Sequence, residues 1–167
     1  MMHISKSRPG SLVVIAASLF FASACGWWGD ERAAIRGRLQ EFVATVNRQA
    51  PEGLGTVTHS AAIGRYFTED VTIDPGRGGA PISSREMLMG MAARLRPRTA
   101  EYRVQLADIT VHLAPDELSA EVELTAEMIR REPGARQSMD AREFALTMRR
   151  EGGEWLIARV TAVETLK

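Results

Sequence analysis

The sequence predicts an α+β domain in which a strongly curved antiparallel sheet wraps three N-terminal helices to form an open cone. In the first half of the chain, apolar residues recur at helical spacing, whereas in the last 67 residues they alternate with polar ones at strand spacing. Because the helices come first and the long strands last, folding the sheet over the helices buries every apolar face at once. With 167 residues and 45% apolar content, the chain has room for one such domain.

A short export signal precedes the predicted domain. Lys6 and Arg8 are followed by an uncharged apolar run over residues 11–24. As a helix this run would reach about 21 Å, which is short of a hydrocarbon core about 30 Å thick. A cleaved signal is therefore favoured over a permanent transmembrane helix.

The end of this run resembles the lipobox of bacterial lipoproteins. The segment Ala22-Ser23-Ala24-Cys25 carries the resemblance, which implies that the thiol takes a diacylglyceryl group and becomes the first residue of the mature protein. Ala22 stands where the family more often has Leu. Because Ala22 and Ala24 also fit ordinary cleavage after Ala24, both outcomes stay open.

Under the lipoprotein interpretation, Cys25 is the lipid attachment site. The chain then divides into a signal peptide (1–24), a lipid-anchored tether (25–29) and the folded domain (30–167). Acyl chains would hold such a domain on a membrane essentially permanently. By analogy with lipoprotein sorting in Gram-negative cells, Gly26 implies the periplasmic face of the outer membrane.

Three helices are predicted in the first part of the domain. Asp30 fits the N-cap of a helix over Glu31–Gln49, with an apolar stripe made of Ile35, Leu39, Phe42, Val43 and Val46. After a loop over residues 50–58, a short helix is predicted over His59–Phe67. Ser83 and Glu86 form a capping box that opens a third helix, in which one face carries Met87, Leu88, Met91 and Leu95.

Four long strands are predicted to follow as an antiparallel meander, after a brief strand containing Val71 and Ile73. In the first long strand, apolar residues fall on even numbers from Tyr102 to Leu106 and on odd numbers from Ile109 to Leu113. Both sets face one side only if the strand contains a bulge near Ala107 and Asp108. The strands are separated by three turn signals: Ala114-Pro115-Asp116, Pro133-Gly134 and Gly152-Gly153.

This order of elements, with Tyr66-Phe67, Glu69-Asp70-Val71 and Gly152-Gly153-Glu154-Trp155, resembles the nuclear transport factor 2-like superfamily. The resemblance is strongest to its polyketide-cyclase-like (SnoaL-like) branch and covers residues 30–167. It implies a conical fold with a cavity. Because the superfamily includes isomerases, cyclases, dehydratases and many non-catalytic binding modules, the resemblance does not select a chemistry.

One set of residues is a candidate for acid–base catalysis. Asp74 would act as the base, and the phenol of Tyr66 or Tyr102 would donate a hydrogen bond to developing negative charge. In the competing interpretation, Asp74 closes a turn with the residues that follow it and both tyrosines are packing residues. The three histidines lack ligand spacing and no cysteine pair occurs, so we expect no metal and no cofactor.

The charge balance limits the partners. Of the 21 basic residues, Lys6 and Arg8 lie in the predicted signal, which leaves 19 against 21 acidic residues and no basic surface for nucleic acid. We therefore expect a non-catalytic, membrane-anchored domain that binds a small apolar ligand or an envelope protein, as a monomer or weak homodimer. The alternative is a lyase-, isomerase- or cyclase-type enzyme that acts on a small hydrophobic carbonyl compound inside the cone.

Overall fold

The computed structural model describes residues 27–48, 54–94, 101–131 and 136–163. It contains three helices and five strands in the predicted order, and the strands form one curled, unclosed sheet. The α+β cone predicted from the sequence is therefore confirmed. The elements are α1 (Trp27–Val46), α2 (Leu54–Gly64), β1 (Phe67–Asp74), α3 (Arg85–Arg94), β2 (Glu101–Leu113), β3 (Ser119–Arg131), β4 (Ser138–Glu151) and β5 (Glu154–Ala162).

The sheet has the strand order β1-β5-β4-β3-β2. Strands β2 to β5 form the predicted antiparallel meander. The first strand is longer than expected and pairs in parallel with β5, so the sheet is mostly rather than wholly antiparallel. This pairing joins segments about 80 residues apart in sequence, a distance over which no turn residue could signal it.

The predicted bulge is present in β2. Ala107 pairs with Thr125 and Thr110 pairs with Glu123, so β2 carries one residue more than β3 between these pairs. Asp108 lies in this interval with a φ of 53°, a left-handed conformation that Asp adopts more readily than most residues. The extra residue restores the alternation, and the apolar residues on both sides of it face the inside of the curl.

The core lies between α1 and the concave face of the sheet. On α1, Ile35 and Leu39 are the two residues of the predicted stripe that are completely buried. They belong to one cluster with buried side chains from β1 to β5, including Val71, Val111, Val122, Leu124, Leu146, Met148, Trp155 and Ile157. Sheet and helix thus bury their apolar faces against each other, as the order of elements requires.

A buried carboxylate attaches the start of α1 to the β4–β5 hairpin. Glu31 is 8% exposed, and its two oxygens accept hydrogen bonds from the Trp155 indole N–H at 2.8 Å and from Arg150 at 2.7 Å. A buried carboxylate is tolerated when charged and neutral donors satisfy it in this way. The contact fixes one end of α1 above the end of the sheet.

Two helix boundaries differ from the sequence prediction. α1 begins at Trp27, so Asp30 lies inside the helix instead of preceding it. α2 spans Leu54–Gly64, not His59–Phe67. α2 ends at Gly64, where it meets α3. The two helices are close there, since a Cβ at position 64 would lie 2.6 Å from Met89 Sδ.

The third helix is capped one residue later than predicted. The Met87 N–H donates to Ser84 Oγ at 3.2 Å, so Ser84 caps the helix and the predicted Ser83–Glu86 capping box is wrong. The Ile82 N–H and C=O bond to Ile73 as an isolated bridge on the outer edge of β1, which holds the preceding chain extended. None of the residues of α3 is fully buried.

Two of the three predicted turns are confirmed. Gly152 and Gly153 have φ values of 58° and 88° between β4 and β5. Between β2 and β3, the Leu118 N–H donates to the Asp116 carboxylate at 3.0 Å. The Pro133-Gly134 turn lies outside the described residues. Within the described part of the chain, no helix has the length and apolar character needed to cross a bilayer.

The Glu31 contact leads to a stability prediction. Trp155→Phe removes the indole N–H and leaves a buried carboxylate oxygen without its donor, so we expect the free energy of unfolding to fall by about 1–3 kcal/mol. Urea denaturation followed by circular dichroism measures this loss. The control is Glu154→Gln, which removes an exposed partner of Arg38 and should cost less than about 1 kcal/mol. Equal losses for the two variants would contradict the assignment.

Candidate functional site

The helix α1 closes the open side of the curled sheet against the edge strand β2. The Asn47 amide donates to Val104 O at 2.8 Å and accepts from Val104 N–H at 2.7 Å, so it pairs with β2 as a neighbouring strand would. Nearer the start of the helix, the Arg36 guanidinium lies 3.5 Å from Ile109 O. These contacts occupy backbone groups that an edge strand otherwise exposes.

The opposite flank of α1 contacts the segment that leads into β1. The Tyr66 hydroxyl lies 3.1 Å from Thr45 Oγ1, and Arg48 donates to the same oxygen at 2.8 Å. The Arg38 guanidinium lies 4.5 Å from the centre of the Tyr66 ring and also donates to Trp155 O. Tyr66 is therefore a packing residue between α1 and β1, and its hydroxyl already has a partner.

Between these flanks the concave face carries an apolar strip that the helices cover only in part. Its members face inward from four strands and are half-buried, while the residues deeper in the cone are fully buried. Phe42 from α1, Ile63 from α2 and Leu88 from α3 are also half-buried and pack against the core from above. The apolar strip consists of Val104 and Leu106 on β2, Ala126 on β3, Phe144 on β4 and Ala162 on β5.

The strip ends at a rim where the sheet extends beyond the helices. Tyr102 and Met128 face inward there and are 40% and 43% exposed. The cross-strand register puts Arg130 beside Tyr102, and Arg142 beside Ala126 at the edge of the apolar strip. Arg142 Nε lies 3.4 Å from an oxygen of Asp140, which is also on the inner face. The rim is thus apolar in its centre and charged at its sides.

Asp74 lies on the other face of the sheet. Its neighbour Ile73 packs against the core, so the alternation of β1 directs Asp74 outward, and it is exposed. One carboxylate oxygen accepts the Gly76 N–H at 3.0 Å, which is the turn contact that the competing interpretation describes. Asp74 borders an open depression of about 350 Å³ on the outer face, together with Thr72, Ser83, Arg159 and Thr161.

The candidate catalytic residues do not lie together. Tyr66 precedes β1 and Asp74 ends it, so they are separated by roughly 25 Å of extended chain. Tyr102 faces inward from the edge strand β2, whereas Asp74 faces outward from the opposite edge strand. The lipid attachment candidate Cys25 lies outside the described residues. His112 is exposed on the outer face of β2, as its position in the alternation predicts.

An ion pair joins β1 to β4 on the outer face. Asp70 contacts Arg149, and the neighbouring Thr68 hydroxyl and this guanidinium both lower the pKa of the Asp70 carboxyl below its ordinary value. Arg149 also lies 3.1 Å from Glu151. The network holds strands together and does not enter the concave face. In the ranges that the structure describes, no three His, Cys, Asp or Glu side chains are grouped as a metal site would need.

Sequence reasoning missed the residues that shape this site. In the sequence, nothing distinguishes Asn47 and Glu31 from other polar residues of the predicted helix Glu31–Gln49, and only their partners on β2 and β5 give them a role. In the sequence, Arg142 is one of several arginines interspersed with acidic residues, a pattern typical of a solvated sheet face. The signal that would have found it is parity, because Arg142 shares its inward direction with Phe144 two residues later.

Comparisons with known proteins agree with the fold. Residues 59–161 match the family model described as a SnoaL-like domain. No curated protein sequence matches the chain at a significant level. Among solved structures, a nuclear transport factor 2-like protein with a cystatin-like fold from Novosphingobium aromaticivorans has a TM-score of 0.65 and 15% identity over 88% of this chain and 90% of its own.

Two further structures carry functional descriptions. One, from the same organism, is provisionally described as a scytalone dehydratase and has a TM-score of 0.67 and 14% identity over 85% of this chain and 89% of its own. The other, ActVI-ORFA from Streptomyces coelicolor, has a TM-score of 0.59 and 12% identity over 83% of this chain and 96% of its own. At these identities the similarity establishes the fold alone.

The contact between α1 and the β2 edge leads to a second prediction. Asn47→Ala removes both bonds to Val104, so we expect this edge to open locally and the free energy of unfolding to fall by about 1–3 kcal/mol. Amide hydrogen exchange measures the opening directly, because the Val104 amide should exchange faster than in the unmodified protein. The control is Gln40→Ala on an exposed turn of the same helix, which should leave Val104 protected. Unchanged exchange at Val104 in Asn47→Ala would rule out the contact.

Proposed function

We propose that this chain, which belongs to the SnoaL-like domain family, binds a small apolar ligand on its concave face without transforming it. The family fold brings a curved sheet and three helices around one concave surface. What this surface does depends on the side chains that line it, because one fold supports both enzymes and binding modules.

The apolar strip is the observation that carries this proposal. A side chain whose only task is to fill the core is expected to be fully buried, as Leu124 and Leu146 are deeper in the cone. The strip residues Leu106, Ala126 and Phe144 lie on the same face and remain half-buried. Partly covered apolar surface inside a concavity is the usual lining of a small-molecule site.

The ionisable groups favour binding over catalysis. General acid–base chemistry most often uses a carboxylate or imidazole within hydrogen-bond reach of the substrate. Within the described residues, the buried carboxylate Glu31 already accepts from Trp155 and Arg150, and Asp74 faces away from the strip. Asp140 also lies on the inner face, but at the exposed rim, where it contacts Arg142.

We also propose that Cys25 carries a lipid that holds the domain at the membrane surface. The support is the lipobox-like sequence together with the position of α1, which begins two residues after Cys25. An anchor so close to the domain would keep the concave face within a few tens of ångströms of the bilayer. A ligand that partitions into lipid would then be captured at its source. An envelope protein seated on the same face is the competing occupant.

Filling the strip should weaken binding. In Ala126→Phe the larger ring occupies the strip, so the neutral fluorescent probe N-phenyl-1-naphthylamine should bind at least about tenfold more weakly, as loss of roughly 1.4 kcal/mol or more implies. Fluorescence titration of the full-length protein measures this. The control is Ala141→Phe, which adds the same ring to the outer face of β4.

Residues 1–26 are identical in all three proteins, so any probe bound there contributes equally to each titration. Ala141→Phe should bind the probe as the unmodified protein does. Probe binding that is the same in Ala126→Phe, or absent in the unmodified protein, would contradict a ligand site on the concave face and would favour a protein partner.

The anchor is tested separately from the ligand. Cys25→Ser removes the thiol that would be acylated, so the protein should no longer incorporate labelled fatty acid and should move from the membrane to the soluble fraction. Metabolic labelling followed by fractionation measures both changes. The control is Ser23→Ala, which keeps the thiol and a small residue in the same segment. A Cys25→Ser protein that stays membrane-bound with unchanged label would disprove lipid attachment at this residue.

A further inference from the structure

We propose that the ligand of the concave face is an amphipathic anion, with its apolar chain on the strip and its acidic head at Arg142. This inference rests on the proposed function and adds the chemical class of the ligand. Three observations carry it: the inward direction of Arg142, the charge of the rim, and the distance from the rim to the floor of the cone.

The direction of Arg142 follows from the register of β4. Arg142 pairs with Ala126, and Phe144 pairs with the buried Leu124, so all four face the same side of the sheet. Neighbouring residues of one strand face are about 7 Å apart. The guanidinium therefore projects from the position immediately above the apolar strip, where it can reach the polar head of a molecule whose chain lies on Phe144.

The rim has more positive than negative charge on its inner face. Nine inward positions form three cross-strand rows at this end of β2, β3 and β4, and their charged members are Arg130, Arg142 and Asp140. Guanidinium groups bind carboxylates and phosphates through two parallel hydrogen bonds, which favours acidic heads over alcohols or amines. The rim thus selects an anion, while the strip selects its apolar chain.

Asp140 does not prevent this role of Arg142. The contact between them is 3.4 Å long, and the two side chains are 64% and 56% exposed. Exposed pairs of this kind contribute little to stability, so an incoming anion has little to displace.

The depth of the site sets the length of the ligand. From Arg142 to the buried Leu146 the strand advances four residues, which is about 14 Å. The strip runs along this path and ends where the core is filled. A medium-length acyl chain with one terminal acid group fits these dimensions, so we use decanoate and its neutral counterpart, 1-decanol, as probes.

Competition against bound N-phenyl-1-naphthylamine tests the proposal. In the unmodified full-length protein, decanoate should displace the probe at a concentration roughly three- to tenfold lower than 1-decanol, the advantage expected of a partly exposed charge-assisted contact. Arg142→Gln should abolish this preference and leave displacement by 1-decanol unchanged. Arg103→Gln, which removes a guanidinium from the outer face of β2, should retain the full preference.

The outcomes separate this inference from the function on which it rests. If the unmodified protein binds the fluorescent probe but 1-decanol displaces it as readily as decanoate does, the anion proposal is overturned and an apolar site remains. A preference for decanoate that persists in Arg142→Gln would overturn the role of Arg142. Failure of the unmodified protein to bind the fluorescent probe would overturn the proposed function itself, and with it this inference.

Discussion

The geometry of the cone depends on α1 lying across the open side of the sheet. Its contacts with β2 join Arg36 to Ile109 and Asn47 to Val104. The helix rises about 16 Å between these two residues, and the strand covers about the same length between its own pair. This match lets one helix follow an edge strand over several residues. Glu31 fixes the other end through Trp155, so the helix cannot slide along the sheet.

This arrangement separates stability from function along a single helix. The part of α1 up to Leu39 contributes Ile35 and Leu39 to a fully buried core. After Phe42 the contacts change character, because Thr45 and Asn47 reach their partners through hydrogen bonds at the flanks of the helix. These polar contacts support the later part of the helix at its flanks. The apolar strip of the sheet remains half-buried in the part of the chain that the structure describes.

How much of this the sequence could predict depends on whether the cause was local. The β2 bulge was predictable because Leu106 and Ile109 have opposite parity and one face of the strand must be buried. The parallel pairing of β1 with β5 has no such signal, since no residue pattern in either strand indicates pairing with a strand so distant in the chain. The shift of the cap to Ser84 depended on the bridge at Ile82, which is a tertiary contact.

The same distinction explains why the candidate site was predicted less well than the fold. Asp74 ends a strand, but the face that a residue occupies matters more than the strand end. Inside an apolar cone an unpartnered charge is costly. Among the described residues, Glu31 is the buried carboxylate and both of its oxygens have donors, whereas the other acids face outward or lie at the rim. A charged side chain that is to bind a ligand avoids this desolvation cost only where water still reaches it. Arg142 meets that condition, since it stands at the boundary between solvent and the apolar strip.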